Sequence, residues 1–237
     1  MNAHLTRFGR TAACATVLML APSVGHATML APGALVVPGI LADAVAAGDV
    51  QASAVDLPFS TMFYSGTLTA AVVKNAGGTL DFYYQISNNG SSIHSLARNT
   101  DSLFALLAPP TVFTTDVFYR TDNAGLPAIF EAGDAGATPS AADRGLDGQV
   151  VGFDFLPGAA AINPGETSMI LVIRTNATAF TDGFSSVLNA LPASVVTFGP
   201  AAAPVPEPAS LLLLSSAFTA AGYMARHRAK KRKRPSA

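Results

Sequence analysis

Leu80, Phe82, Tyr84 and Ile86 alternate with Asp81, Tyr83, Gln85 and Ser87. Successive side chains of a strand point to opposite faces, so a period of two with one apolar set predicts a strand lying on a core. Residues 67–73 form a second strand candidate. Asn75-Ala76-Gly77-Gly78 joins the two as a hairpin-like connection in which glycine supplies positive φ. Asn88-Asn89-Gly90 closes the pair with another turn signal. Further strands are predicted over 114–120, 150–155, 168–175 and 194–198, with Val151, Phe153 and Phe155 sharing one face. Residues 169–173 are continuously apolar, which predicts a central strand covered on both sides.

Helical patterning is scarce. Residues 92–107 are the best helix candidate, carrying Ile93, Leu96, Leu103, Leu106 and Leu107. Residues 131–148 read as a long loop rich in Ala, Gly, Asp and Ser, and there is no internal repeat. Short strands punctuated by Gly, Asn and Pro turns predict an all-β fold, an antiparallel β-sandwich.

The two ends are of a different kind. Arg7 and Arg10 precede an apolar stretch over 11–21, and Gly25 and Ala27 supply small residues at the −3 and −1 positions. This is the layout of a secretory signal peptide, residues 1–27, exported by the Sec machinery and cut by signal peptidase after Ala27. Cys14 leaves with it, so the mature chain holds no thiol for a disulfide or a metal. At the other end, residues 209–224 are uncharged and rich in Leu, Ala and Ser. As a helix they span about 24 Å, short against a hydrocarbon core of about 30 Å. Arg226, Arg228, Lys230, Lys231, Arg232, Lys233 and Arg234 follow. Their long side chains snorkel to the interface, and the positive-inside bias makes them a topology stop that keeps the C-terminus in the cytoplasm. A plain C-terminal anchor and a nucleic-acid patch are the competing readings of this end. A basic block abutting an apolar span is already accounted for by topology.

Setting both ends aside leaves five basic residues against fourteen acids, about −9 for the domain between them. Such a surface argues against nucleic acid as a partner. The organisation is therefore a signal peptide (1–27), an ectodomain (28–198), a Pro/Ala linker (199–205) and a terminal signal (206–234).

Pro206-Glu207-Pro208, then the apolar span, then the basic block, in this order at the chain end, resembles the PEP-CTERM sorting signal of Gram-negative bacteria. The resemblance covers about thirty residues. It implies recognition of Pro206, Glu207 and Pro208 by an exosortase-like membrane protease and cleavage at or near them. It further implies transient inner-membrane anchoring followed by display at the cell surface or in the extracellular matrix of a biofilm. Two prolines keep the motif extended, as a protease substrate requires. Residues 79–85, 165–168 and 174–178 also look like parts of ectodomains attached to such tails, a resemblance that supplies no functional residues.

Chemistry inside the ectodomain is sparse, and the expectation is a structural or interaction protein without catalytic activity and without a cofactor. His94 is the one histidine left between the two ends, and no G-x-S-x-G elbow accompanies it. A solvated loop histidine is the favoured reading over a hydrolase site. Asp143, Asp147 and Asp154 fall at positions one, five and twelve of a calcium-loop spacing with Gly148 at position six. Gly145 stands where an oxygen donor belongs, and Asp154 replaces the bidentate Glu. An acidic turn leading into a strand is therefore favoured over a calcium site. Tyr83 and Tyr119 are candidates for a face binding extracellular polysaccharide, against ordinary cross-strand packing. Asn89-Gly90-Ser91 and Asn176-Ala177-Thr178 match the glycosylation sequon. A carbohydrate- or calcium-binding module and a secreted hydrolase remain the alternatives.

Overall fold

The computed structural model describes residues 29–43, 45–46, 49–107, 110–156 and 161–203. Two six-stranded sheets face each other. The first runs β2 (Gly39–Ile40), β9 (Thr115–Arg120), β12 (Ile170–Thr175), β5 (Leu80–Asn88), β4 (Ser65–Lys74) and β3 (Val50–Ser60). The second runs β1 (Leu35–Val36), β10 (Ala141–Arg144), β11 (Val151–Asp154), β6 (Arg98–Asp101), β13 (Ala179–Asn189) and β14 (Leu191–Ala201). A small hairpin, β7 (Ala105–Leu107) with β8 (Pro110–Val112), stands apart. Every pairing is antiparallel except β2 with β9. Among the described residues there is no α-helix, and no helix long and apolar enough to cross a membrane.

The predicted β4–β5 hairpin is present. Gly78 takes φ +83°, and the Asn75 side chain accepts from the amides of Gly77 (3.0 Å) and Thr79 (3.2 Å). The alternation of β5 points Leu80, Phe82, Tyr84 and Ile86 at the main core between the sheets. Opposite them lie Val151 and Phe153 of β11, Val187 of β13 and Val195 of β14. β12 is central in its sheet, and all of Ile170 to Ile173 is buried.

The polar register of β5 departs from expectation. Asp81, Tyr83 and Gln85 are as buried as the apolar register. A second apolar cluster covers that outer face: Leu41, Leu126 and Phe130 pack on Val73, Tyr83, Phe118 and Val172. The covering loop is pinned by Gln85, which donates to the carbonyls of Glu131 (2.9 Å) and Ser168 (3.0 Å) and accepts from the Glu131 amide (2.9 Å). Tyr83 lies edge-on to Phe130 with ring centroids 6.5 Å apart. It is a packing residue and offers no face to a sugar, while Tyr119 is half-buried on β9.

Three segments differ from their sequence reading. Residues 92–107 hold β6 and β7 in place of a helix. Asn99, Thr100 and Asp101 are poor helix formers, and Asn99 and Asp101 turn inward into hydrogen bonds. The 131–148 segment is a loop only in part, because β10 occupies Ala141–Arg144. Gly199, Pro200 and Ala201 belong to β14, paired with Thr181, Phe180 and Ala179, so the linker begins after Ala201.

Arg144 joins the two layers. Its side chain is buried, and it donates to the carbonyls of Gly148 (2.9 Å), Leu30 (3.2 Å), Phe104 (2.7 Å) and Phe113 (2.9 Å) and to Thr115 Oγ1 (2.7 Å). Burial lowers its pKa, yet no carboxylate answers its charge among these contacts. Five oxygens in a fixed fork suit a guanidinium and exceed the three donors of an ammonium. Arg144→Lys is expected to cost about 3 kcal/mol through the carbonyls left unsatisfied. Urea unfolding followed by tyrosine fluorescence measures it. A loss below about 1 kcal/mol would mean that the hub carries little of the fold.

Candidate functional site

The sorting residues Pro206, Glu207 and Pro208 and the basic residues Arg226, Arg228, Lys230, Lys231, Arg232, Lys233 and Arg234 lie outside the described residues, as do Gly25 and Ala27. What the structure places is the point from which the tail leaves. β14 is an edge strand, and it ends at Ala201 beside Ala179, where β13 begins.

The calcium spacing folds as a hairpin. Asp143 sits on β10 opposite Gly152, and Asp154 on β11 opposite Ala141. Arg98 of β6 lies flat across Gly152, where a Cβ would meet Nη2 at 2.1 Å. From there its guanidinium reaches Asp143 Oδ1 and Asp154 Oδ1, both at 2.5 Å. Burial acts to lower the Arg98 pKa, and the two carboxylates outweigh it and raise it. Asp147 turns away and accepts from the Gln149 amide (3.0 Å). The three acids therefore do not converge, and no group of three His, Cys, Asp or Glu among the described residues is placed to hold a metal. His94 stacks on Phe63 with ring centroids 4.8 Å apart and planes within 5°.

Two arrangements were hidden from sequence reasoning. The first is a pocket of about 280 Å3 on the outer side of the first sheet, lined by Asp43, Asp49, Lys74, Asn75, Asp81 and Arg174 among others. Arg174 donates to Asp43 Oδ2 (2.7 Å) and Asp81 Oδ2 (3.1 Å), and Asn75 donates to Asp81 Oδ1 (2.8 Å). Burial raises the Asp81 pKa, opposed by Arg174 and Asn75. At the pocket's back, burial and the Asp81 charge push the Tyr83 hydroxyl up to about 12. Donors and acceptors of both signs converge there, which suits a small polar ligand rich in hydroxyls. A larger open depression of about 540 Å3 lies over Phe59, Gly66, Thr67, Ser87 and Asn88 and has no charged side chain.

The second arrangement is inside the sandwich. Asp101 accepts from Asn99 Nδ2 (2.8 Å) and from Ser185 Oγ, which also contacts Thr197 Oγ1 (2.9 Å). All four residues are buried, and Asn99 Oδ1 has no partner among the described residues. Burial drives the Asp101 pKa up to about 7, against the hydrogen bonds from Ser185 and Asn99. Its charge and burial together hold the Tyr84 hydroxyl well above its ordinary value.

Residues 204–229 match the PEP-CTERM protein-sorting motif. The chain carries a PEP-CTERM sorting signal. The PEP-CTERM match begins three residues after the end of β14 and contains Pro206-Glu207-Pro208 and the whole apolar segment over 209–224. It marks an exported protein sorted at the membrane by an exosortase. No curated protein matches the chain, and no solved structure does. The ectodomain of this PEP-CTERM protein is therefore read from its own geometry.

The Asp101 site gives a pH dependence with a definite sign. Its folded pKa, about 7, stands above the ordinary carboxylate value. The folded state thus holds a proton that the unfolded chain releases, and the associated stability is complete below about pH 4 and lost as pH rises through about 7. The difference amounts to about 4 kcal/mol as an upper bound. Asp101→Asn keeps the shape and removes the titration. Relative to wild type, the variant is expected to gain stability steadily between pH 4 and 7.5. A constant difference across that range would show that Asp101 is ionised in the fold at all these pH values.

Proposed function

We propose that this chain is a displayed structural or interaction protein, exported by the Sec machinery, cut by an exosortase at or near Pro206-Glu207-Pro208, and left at the cell surface or in the extracellular matrix. The observation that carries this reading is the sorting motif over 204–229, set directly behind the last strand of the sandwich. The span over 209–224 holds the chain during processing, and the basic block from Arg226 to Arg234 keeps its end in the cytoplasm. The protein is the substrate, and catalysis belongs to the partner protease. His94 packed flat on Phe63 supports a non-catalytic ectodomain. The pocket around Asp49, Lys74, Asn75 and Arg174 supports extracellular polysaccharide as a ligand, since it sets paired donors and acceptors around an apolar floor of Val45, Val73 and Tyr83 on which a sugar ring can rest.

Intact mass of the mature protein from its native host, taken separately in membrane and extracellular fractions, tests the reading. The expected species begins at Thr28, ends between Pro206 and Ala209, and is found outside the inner membrane. A species that retains Arg226 to Ala237 and stays in the membrane would establish a plain anchor.

A further inference from the structure

The outer face of the β13–β14 ribbon carries its phenylalanines at one end. Even-numbered residues of both strands alternate outward along most of the ribbon, and the register pairs Phe180 with Pro200, which is buried, Asp182 with Phe198, and Phe184 with Val196. Phe184 is 58% exposed and Val196 54%. Phe180 and Phe198 meet edge-on at 5.8 Å and add to the same patch. Beyond Val196 Ser186 lies opposite Ser194, and at the hairpin end Leu188, half-buried, pairs with Pro192, so the aromatic patch is confined to the first half of the ribbon. Phe184 and Val196 stand uncovered among the described residues, while Phe198 is half-buried, in part against the main core, and supports Phe180. A cluster of large exposed hydrophobics on one face is the ordinary mark of a contact surface.

The position of the patch names its occupant. Phe180 pairs with Pro200, one residue before β14 ends, so the apolar end of the ribbon is the end from which the tail departs. From Ala201 to Ala209, where the span begins, the chain covers eight residues, at most about 28 Å when fully extended. Such a short tether keeps the patch at a high effective concentration beside whatever holds the span. We propose that Phe180, Phe184, Val196 and Phe198 seat the ectodomain on the outer surface of the lipid bilayer while the tail is inserted. The patch inserts its rings at the boundary between headgroups and acyl chains. This rests on the reading of residues 209–224 as a membrane span. The contact is apolar in nature, because Asp182 is the one charge on the ribbon's outward face and Arg98 farther along the sheet is already held by Asp143 and Asp154. A second copy is the competing occupant. Pairing through the edge of β14 is hindered because Pro192 and Pro200 bring no N–H to a new ladder.

The chain contains no tryptophan, so single substitutions serve as reporters in the full-length protein. Phe184→Trp reports the patch, Phe218→Trp the span, and Leu146→Trp a 92% exposed turn elsewhere on the same sheet. Each is reconstituted in phosphatidylcholine vesicles with and without brominated acyl chains, at low and high salt. The expected result is a blue-shifted emission at position 184, quenched about twofold by bromine at either salt, with position 218 quenched as well and position 146 unaffected. Quenching at 218 without quenching at 184 leaves the span standing and overturns the docking surface. A blue shift at 184 that bromine does not quench assigns the patch to a second copy and also overturns it. No quenching at 218 removes the span itself, and the docking proposal falls with it.

Discussion

The Arg144 guanidinium fixes how the two sheets meet. β10 belongs to the second sheet, yet its arginine holds the Leu30 carbonyl and the Thr115 hydroxyl at the start of β9 in the first. It also holds the Phe104 and Phe113 carbonyls that bracket the small β7–β8 hairpin. A buried cation without a carboxylate is held only when neutral oxygens surround it, since leaving it bare costs several kcal/mol. The chain therefore has to bring a strand end, two loop carbonyls and an N-terminal segment to one point. That requirement excludes most alternative registers of β10.

Across the sandwich the closure relies on hydroxyls. Tyr64 donates to the Val187 and Leu191 carbonyls, and Tyr84 to the Phe198 carbonyl at 2.6 Å. Each phenol crosses from the first sheet to the β13–β14 ribbon, placing a ring in the core and a polar tip on backbone that needs a donor. Asp101, Ser185 and Thr197 lie in the same region of the core. The interior beside the ribbon thus mixes these polar groups with Val187 and Val195, while its exterior carries phenylalanine. At Phe184 and Ser185 the ribbon thus inverts the usual pattern, with the aromatic side chain outside and the hydroxyl inside.

The same inversion explains what was legible. The hairpin of β4 and β5, the central β12 and the strands β9 and β11 follow the apolar alternation and are readable from Leu80 to Ile86 or from Val151 to Phe153. β13 was invisible because its inward residues are Gly183, Ser185 and Val187 while phenylalanines point out. β3 was hidden by its register shifts, by Pro58 and by Asp56 at φ +50°. β6 turns Asn99 and Asp101 inward, where a count of apolar residues finds nothing. The Asp143, Asp147 and Asp154 spacing was visible, but Arg98, some fifty residues away in sequence, decided its meaning. The Asp81–Arg174 pocket joins residues from β5, β12 and the N-terminal segment, and no local pattern announces it.

The sorting motif, by contrast, is a local signal and was legible in the sequence, and it follows directly on the last strand. Pro200 already interrupts the outward row of amides on β14, and Pro204, Pro206 and Pro208 follow it in the sequence. The ladder with β13 ends at Ala201 opposite Ala179, where β13 itself begins. The sheet therefore ends where the sorting signal starts. A protease needs backbone not already committed to a fold, and a membrane span needs an independent segment. The Pro-Glu-Pro order at 206–208 is a local pattern, so the sorting motif is written in residue chemistry and needs no tertiary context to be read.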